Sequence, residues 1–110
     1  MPATPTRILD TRPGVGGWQG SASVLQPVTV DLSAAIPPSA TGLIGTATAI
    51  TDREAFVTVY PAGQGAPVAS NLNPAAWTPT ANAATIPGRN LATLSNGHAY
   101  FLFDVTGWWQ

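Results

Sequence analysis

Asn90–Trp109, NLATLSNGHAYFLFDVTGWW, decides the fold, because two apolar runs flank the dipeptide Asn96-Gly97. Asn followed by Gly tolerates the positive φ that both central residues of a two-residue type I′ loop need, so the stretch predicts a β-hairpin. In that register Ser95 faces His98, Thr93 faces Tyr100, Leu91 faces Leu102 and Arg89 faces Asp104 on one side of the ribbon. Leu94, Ala99, Ala92, Phe101 and Phe103 fall on the other. Both sides are largely apolar. Such a ribbon needs cover on both sides and belongs in the middle of a packed β structure.

The rest of the chain supplies strands to cover it. Thr4–Thr11, TPTRILDT, reads as a first strand with Ile8 and Asp10 on one face and Arg7 and Leu9 on the other, ending at Pro13-Gly14. Gly14–Ser23 is too rich in Gly for a regular element and carries Trp18. Val24–Leu32 alternates, and Pro27 confines its first half to an edge position. Leu43–Thr51 and Ala55–Tyr60 are strands joined across the charged triplet Asp52-Arg53-Glu54, a solvated turn. Val68–Leu72 reads as a short strand leading into Asn73-Pro74, Trp77 sits between breakers, and Thr80–Ile86 is another strand before Pro87-Gly88. Strand signals every 8 to 14 residues, with no helical period, predict an all-β fold: an antiparallel β-sandwich or a partly closed barrel. At 110 residues the chain forms a single domain over residues 1–110.

Composition excludes several functions. Charged residues make up 8% of the chain and the net charge is −1, which leaves no basic surface for a phosphate backbone, so no nucleic-acid partner is expected. All four basic residues are Arg, and Ala, Thr, Pro and Gly abound, the composition of a high-GC genome such as that of an actinobacterium or its phage. Cysteine is absent, so neither a disulfide framework nor a thiolate metal site can form. No apolar run approaches the ~18 residues of a membrane span, and MPATPTRILDTRPG does not have the pattern of an export signal. The chain is therefore expected to be either a module of a longer secreted protein or a small protein that leaves the cell by another route.

Little in the sequence carries chemistry. His98 is the sole His and reads as an ordinary strand residue, since nothing completes a metal site or a nucleophile pair. The carboxylates Asp10, Asp31, Asp52, Glu54 and Asp104 are scattered without calcium-loop spacing or a recognisable glycosidase pair, and GVGGWQG lacks the Lys of a phosphate loop. No catalytic residue, metal or cofactor is expected. Asp10 and Asp104 sit inside apolar strands, where an unpaired charge is costly; Arg7, Arg12 and Arg89 are the available partners for an ion-pair network tying the first strand to the last. Trp108 and Trp109 end the last strand, and at least one is expected in the core. Trp18 and Trp77 lie in loops. Each is either a stacking platform for a sugar or a protein, with Gln19, Asn71 and Asn73 as polar neighbours, or a ring folded back to cap the sandwich.

Four motifs stand in order along the chain: PTRILDTR at Pro5–Arg12, FVTVYP at Phe56–Pro61, SNLN at Ser70–Asn73 and DVTGW at Asp104–Trp108. In these the chain resembles a domain family common in secreted and cell-surface proteins of actinobacteria and also carried by their phages. Trp109 and the Ala-rich middle strands depart from the pattern. The resemblance implies an accessory module for display, adhesion or carbohydrate binding, with no catalytic role. It leads to two expected functions. The first is a virion-associated protein, a capsid decoration or tail subunit on the virion surface that contacts capsid or tail protein and its own copies, as a trimer or other symmetric oligomer. The second is a carbohydrate-binding or adhesion module of an extracellular, cell-surface protein that recognises a glycan.

Overall fold

The computed structural model describes residues 2–15, 19–23, 25–31, 36–63, 72–87 and 90–109, with the backbone alone for residues 2–5 and 31. The described strands are β1 (Pro2–Asp10), β2 (Val28–Asp31), β3 (Gly42–Thr51), β4 (Val57–Pro61), β5 (Thr80–Pro87), β6 (Asn90–Ser95) and β7 (Ala99–Trp109). They form two antiparallel sheets packed face to face, one in the order β1-β7-β3-β5 and the other in the order β2-β6-β4. The fold is thus an all-β sandwich, and its sheets do not close into a barrel. Odd-numbered strands make one sheet and even-numbered strands the other. Every connection therefore crosses the sandwich, and no described strand pairs with its neighbour in sequence.

That topology overturns the hairpin. β6 pairs with β2 and β4, and β7 pairs with β1 and β3, so Thr93 lies opposite Val28 and Val59 rather than Tyr100. Neither Asn96 nor Gly97 has positive φ. Their chemistry serves the crossing instead. Phe56 N–H donates to Asn96 Oδ1 at 2.9 Å, Gly97 N–H to Ser95 Oγ at 3.0 Å and His98 N–H to Asp52 Oδ1 at 3.0 Å. A Cβ on Gly97 would stand 3.1 Å from Arg53 Cγ and 3.2 Å from Asp52 Oδ1, so the glycine provides clearance for the β3–β4 connection. β6 and β7 each take an interior place in their own sheet instead, paired along both edges, with one face packed on the other sheet. Asp104 accordingly faces Arg7 and Thr46; Arg89 lies outside the described residues.

The first strand departs from simple alternation as well. Arg7 pairs with Asp104 and Leu9 with Phe103, so β1 carries an extra residue at Ile8. A bulge of one residue reverses the parity of the positions after it. Leu9 turns inward and is fully buried, whereas Arg7 is exposed; the expectation that the two share a face does not hold. Between the sheets lie Leu9, Val28, Leu43, Val57, Leu91, Phe101, Phe103 and Val105, all with at most 1% exposure. Trp108 packs against this core, and the Trp109 ring lies over Gly42, where a Cβ would have no room. Of the expected strands, Val24–Leu32 is represented by β2, which begins just after Pro27; of Val68–Leu72 only Leu72 is described, in a bridge with Val57.

Candidate functional site

One end of the sandwich gathers most of the features singled out in the sequence. The ends of β1, β3 and β6 and the starts of β2, β4, β5 and β7 meet there, so residues 11–15, 19–23, 25–27, 52–56, 72–79 and 96–98 share it. Within that end two regions differ in construction.

The first is a hydrogen-bonded turn around Asp10. Asp10 N–H donates to Val15 O at 3.0 Å, and Gly14 N–H and Val15 N–H return bonds to Asp10 O at 3.1 and 3.0 Å. The Asp10 carboxylate accepts Arg12 N–H at 3.1 Å and the Arg12 guanidinium through Nε and Nη2, both at 2.9 Å. Arg7 Nη1 stands 3.5 Å from Asp10 Oδ2 and also holds Asp104 in a fork, with Nε–Oδ1 at 2.9 Å and Nη2–Oδ2 at 3.1 Å. The bulge at Ile8 makes this possible, because residues three apart in a regular strand point to opposite faces. The hydrogen bonds from Arg12 outweigh the burial of Asp10 and hold its carboxyl below the ordinary value. Beside it, fully buried Thr11 accepts Phe101 N–H on Oγ1 at 3.0 Å and donates its own N–H to Phe101 O at 3.0 Å. With its polar groups engaged in these bonds, the turn is a fastening between β1 and β7.

The second region is open. Leu25, Phe56 and Trp77 are 58%, 42% and 64% exposed, and each is anchored through its backbone, Leu25 and Trp77 to strand ends and Phe56 to Asn96 just after β6. Leu25 N–H donates to Ser95 O at 2.7 Å, Trp77 N–H to Thr51 O at 2.7 Å and Phe56 N–H to Asn96 Oδ1 at 2.9 Å. Leu25 and Trp77 both have φ of 56°, a left-handed conformation that costs an ordinary residue about 1–2 kcal/mol. Large apolar side chains are thus displayed to solvent on hydrogen-bonded backbone that is strained at Leu25 and Trp77. Beside Phe56 lies an open cleft of about 380 Å³ lined by Glu54, Ala55, Phe56, Asn73, Ala75 and Asn96. Among the described residues Glu54 forms no salt bridge, whereas Asp52 holds Arg53 at 3.4 Å. Burial opposes ionisation of Asp52, yet the Arg53 hydrogen bond and charge and the His98 N–H prevail and lower its pKa.

The sequence candidates divide accordingly. Asn73 lines the cleft, Trp77 stands on the same side of the molecule, and Gln19 lies over Gly14 on the β1 side, with β7 between. Trp18, Asn71 and Arg89 lie outside the described residues. Arg7, Asp10, Arg12 and Asp104 meet in one network. Sequence reasoning missed Leu25, Phe56, Glu54 and Asn96. Phe56 and Glu54 read there as strand and turn, Asn96 as a turn residue, and nothing marked Leu25 as a residue with positive φ. Among the described residues no three His, Asp or Glu side chains gather as metal ligands, and no helix is long and apolar enough to cross a membrane. No protein-family model matches the chain, and no curated protein matches it either.

Proposed function

We propose that the chain is a non-catalytic structural module that docks by its open end on other protein subunits, as a virion-associated protein of an actinobacterial phage that decorates the capsid or belongs to the tail. The observation that carries this reading is the fixed trio Leu25, Phe56 and Trp77. Rigid apolar anchors around a polar rim are what a protein–protein contact uses, because their burial releases water at little conformational cost. An aliphatic side chain as exposed as Leu25 offers nothing to a sugar hydroxyl. The scarcity of charge favours apolar lattice contacts, and the virion surface is the corresponding location. Partners are capsid or tail protein and further copies of the chain.

The cleft supports a second reading, a carbohydrate-binding module of a secreted surface protein. Phe56 offers a ring face, and Glu54, Asn73 and Asn96 offer hydrogen-bonding groups at its side. Two measurements separate the readings. Particles released by lysis of the organism that makes the chain are fractionated on a density gradient, and the purified protein is screened on a glycan array, each with Trp18→Ala and Trp77→Ala beside the wild type. Co-sedimentation with particles that Trp77→Ala abolishes, without a glycan signal, supports the docking reading. Binding of a defined glycan that is lost in Trp77→Ala, with no particle association, overturns it.

A further inference from the structure

Charge is scarce in this chain, and among the described side chains nearly all of it is paired. Asp10 holds Arg12, Asp104 holds Arg7 and Asp52 holds Arg53. Glu54 is the exception. It is exposed and forms no salt bridge with a described residue. It lines the open cleft of about 380 Å³ together with Phe56, Asn73 and Asn96. Arg53, whose stem lies beside Gly97, does not line that cleft.

The walls of the cleft are fastened to one another. Ala55 N–H donates to Pro74 O at 3.1 Å, Phe56 N–H to Asn96 Oδ1 at 2.9 Å and Asn96 N–H to Phe56 O at 3.4 Å. These bonds join the segment that carries Glu54 and Phe56 to the one that carries Asn73 and to the one that follows β6. Phe56 is 42% exposed all the same. A carboxylate, an aromatic ring and two amide side chains thus stand around one opening on hydrogen-bonded backbone.

We infer that this cleft receives an arginine side chain of the docking partner, with its guanidinium taken by the Glu54 carboxylate and its plane set against the Phe56 ring. Arginine engages both features at once, because its planar fork donates to a carboxylate through parallel bonds and its face stacks on an aromatic ring. Charge complementarity selects it. A carboxylate without a counter-ion attracts a cation and repels an acidic surface, and no described cation lines the cleft to compete. A sugar ring engages the amides and the aromatic face but leaves the negative charge without a counterpart. That the arginine belongs to a protein subunit rests on the docking reading; the cleft adds the chemistry of the contact. Leu25, Phe56 and Trp77 supply area, and Glu54 supplies register, since a fixed charge pair permits one placement of the partner and penalises others.

The probe is N-acetyl-arginine N-methylamide, titrated into the isotope-labelled chain at low salt and followed by the backbone amide signals in NMR spectra. The neutral citrulline analogue and methyl glucoside are titrated alongside. A fragment of this size is expected to bind in the millimolar range, with saturable shifts centred on Glu54–Phe56, Asn73, Ala75 and Asn96. Glu54→Gln should weaken binding about threefold or more and Phe56→Leu about twofold, both with an unchanged melting temperature. Absence of a saturable shift at these amides overturns the inference. So does equal binding by the citrulline analogue, binding undiminished in Glu54→Gln, or methyl glucoside in preference to arginine. Particle association keeps the two readings apart. Association lost in Trp77→Ala and undiminished in Glu54→Gln sustains docking through the open end and overturns the arginine contact. Association that persists in both variants, with the fragment still bound, overturns docking and sustains the cation-binding cleft.

Discussion

The Asp10 turn and the Leu25–Phe56–Trp77 face stand at the same end of the sandwich and differ in what their hydrogen bonds accomplish. In the turn, backbone and side-chain bonds converge on Asp10 and tie β1 to β7. At the open face, Leu25 and Trp77 are held by single backbone bonds to strand ends, at a conformational cost, and Phe56 by two bonds with Asn96. On the proposed reading the first region serves stability and the second contact. Substitutions should therefore separate the two properties.

The largest expected effect is at Asp10. Asp10→Ala removes three bonds from Arg12 and the long contact with Arg7, and should destabilise by about 2–3 kcal/mol in denaturant unfolding, with no change in particle association. Because its folded pKa is lowered, the carboxylate contributes fully above its unfolded value, and the contribution is lost as pH falls below about 4. Stability of the wild type should drop over that range, and the Asp10→Asn profile should be flatter. Equal pH profiles would remove the turn's claim to be the fastening.

Asp104→Ala should cost less, about 1 kcal/mol. The sequence suggested a buried pair whose breaking costs several kcal/mol, but the Asp104 and Arg7 side chains are 23% and 45% exposed, so solvent screens them. A loss as large as that at Asp10 would mean that the whole network, rather than the turn, carries the stability. The smallest effect is expected at the open face. Trp77→Gly relieves the positive φ while loosening the unfolded chain, and should change stability by no more than about 1 kcal/mol in either direction. A chelator should leave the melting temperature of every variant unchanged.

Much of the architecture was legible in the sequence. Alternation and the spacing of breakers located β3, β5 and the core of β2, and the two-sided apolar character of Asn90–Ser95 and Ala99–Trp109 marked both as interior strands. Which strands pair was not legible. Asn-Gly satisfies the steric demand of a type I′ turn, but the same two residues also suit a crossing in which Asn96 caps Phe56 and Gly97 clears Asp52, and only the partners decide between them. The bulge at Ile8 was equally silent, since one inserted residue changes no composition while reversing which side chains face the core. Asp10 and Arg12 were found as partners because charges in an apolar strand must be paired. Leu25 was not found, because a leucine with φ of 56° is fixed by a hydrogen bond to Ser95, 70 residues away in sequence.

The central claim, that the open face serves contact and not folding, is tested most directly by the triple variant Leu25→Ser, Phe56→Ser, Trp77→Ser, with the melting temperature and particle association measured on the same preparation. The account predicts a melting temperature within a few degrees of the wild type, because surface side chains contribute little to stability, together with loss of association. A fall of ten degrees or more, or association that persists undiminished, would contradict it.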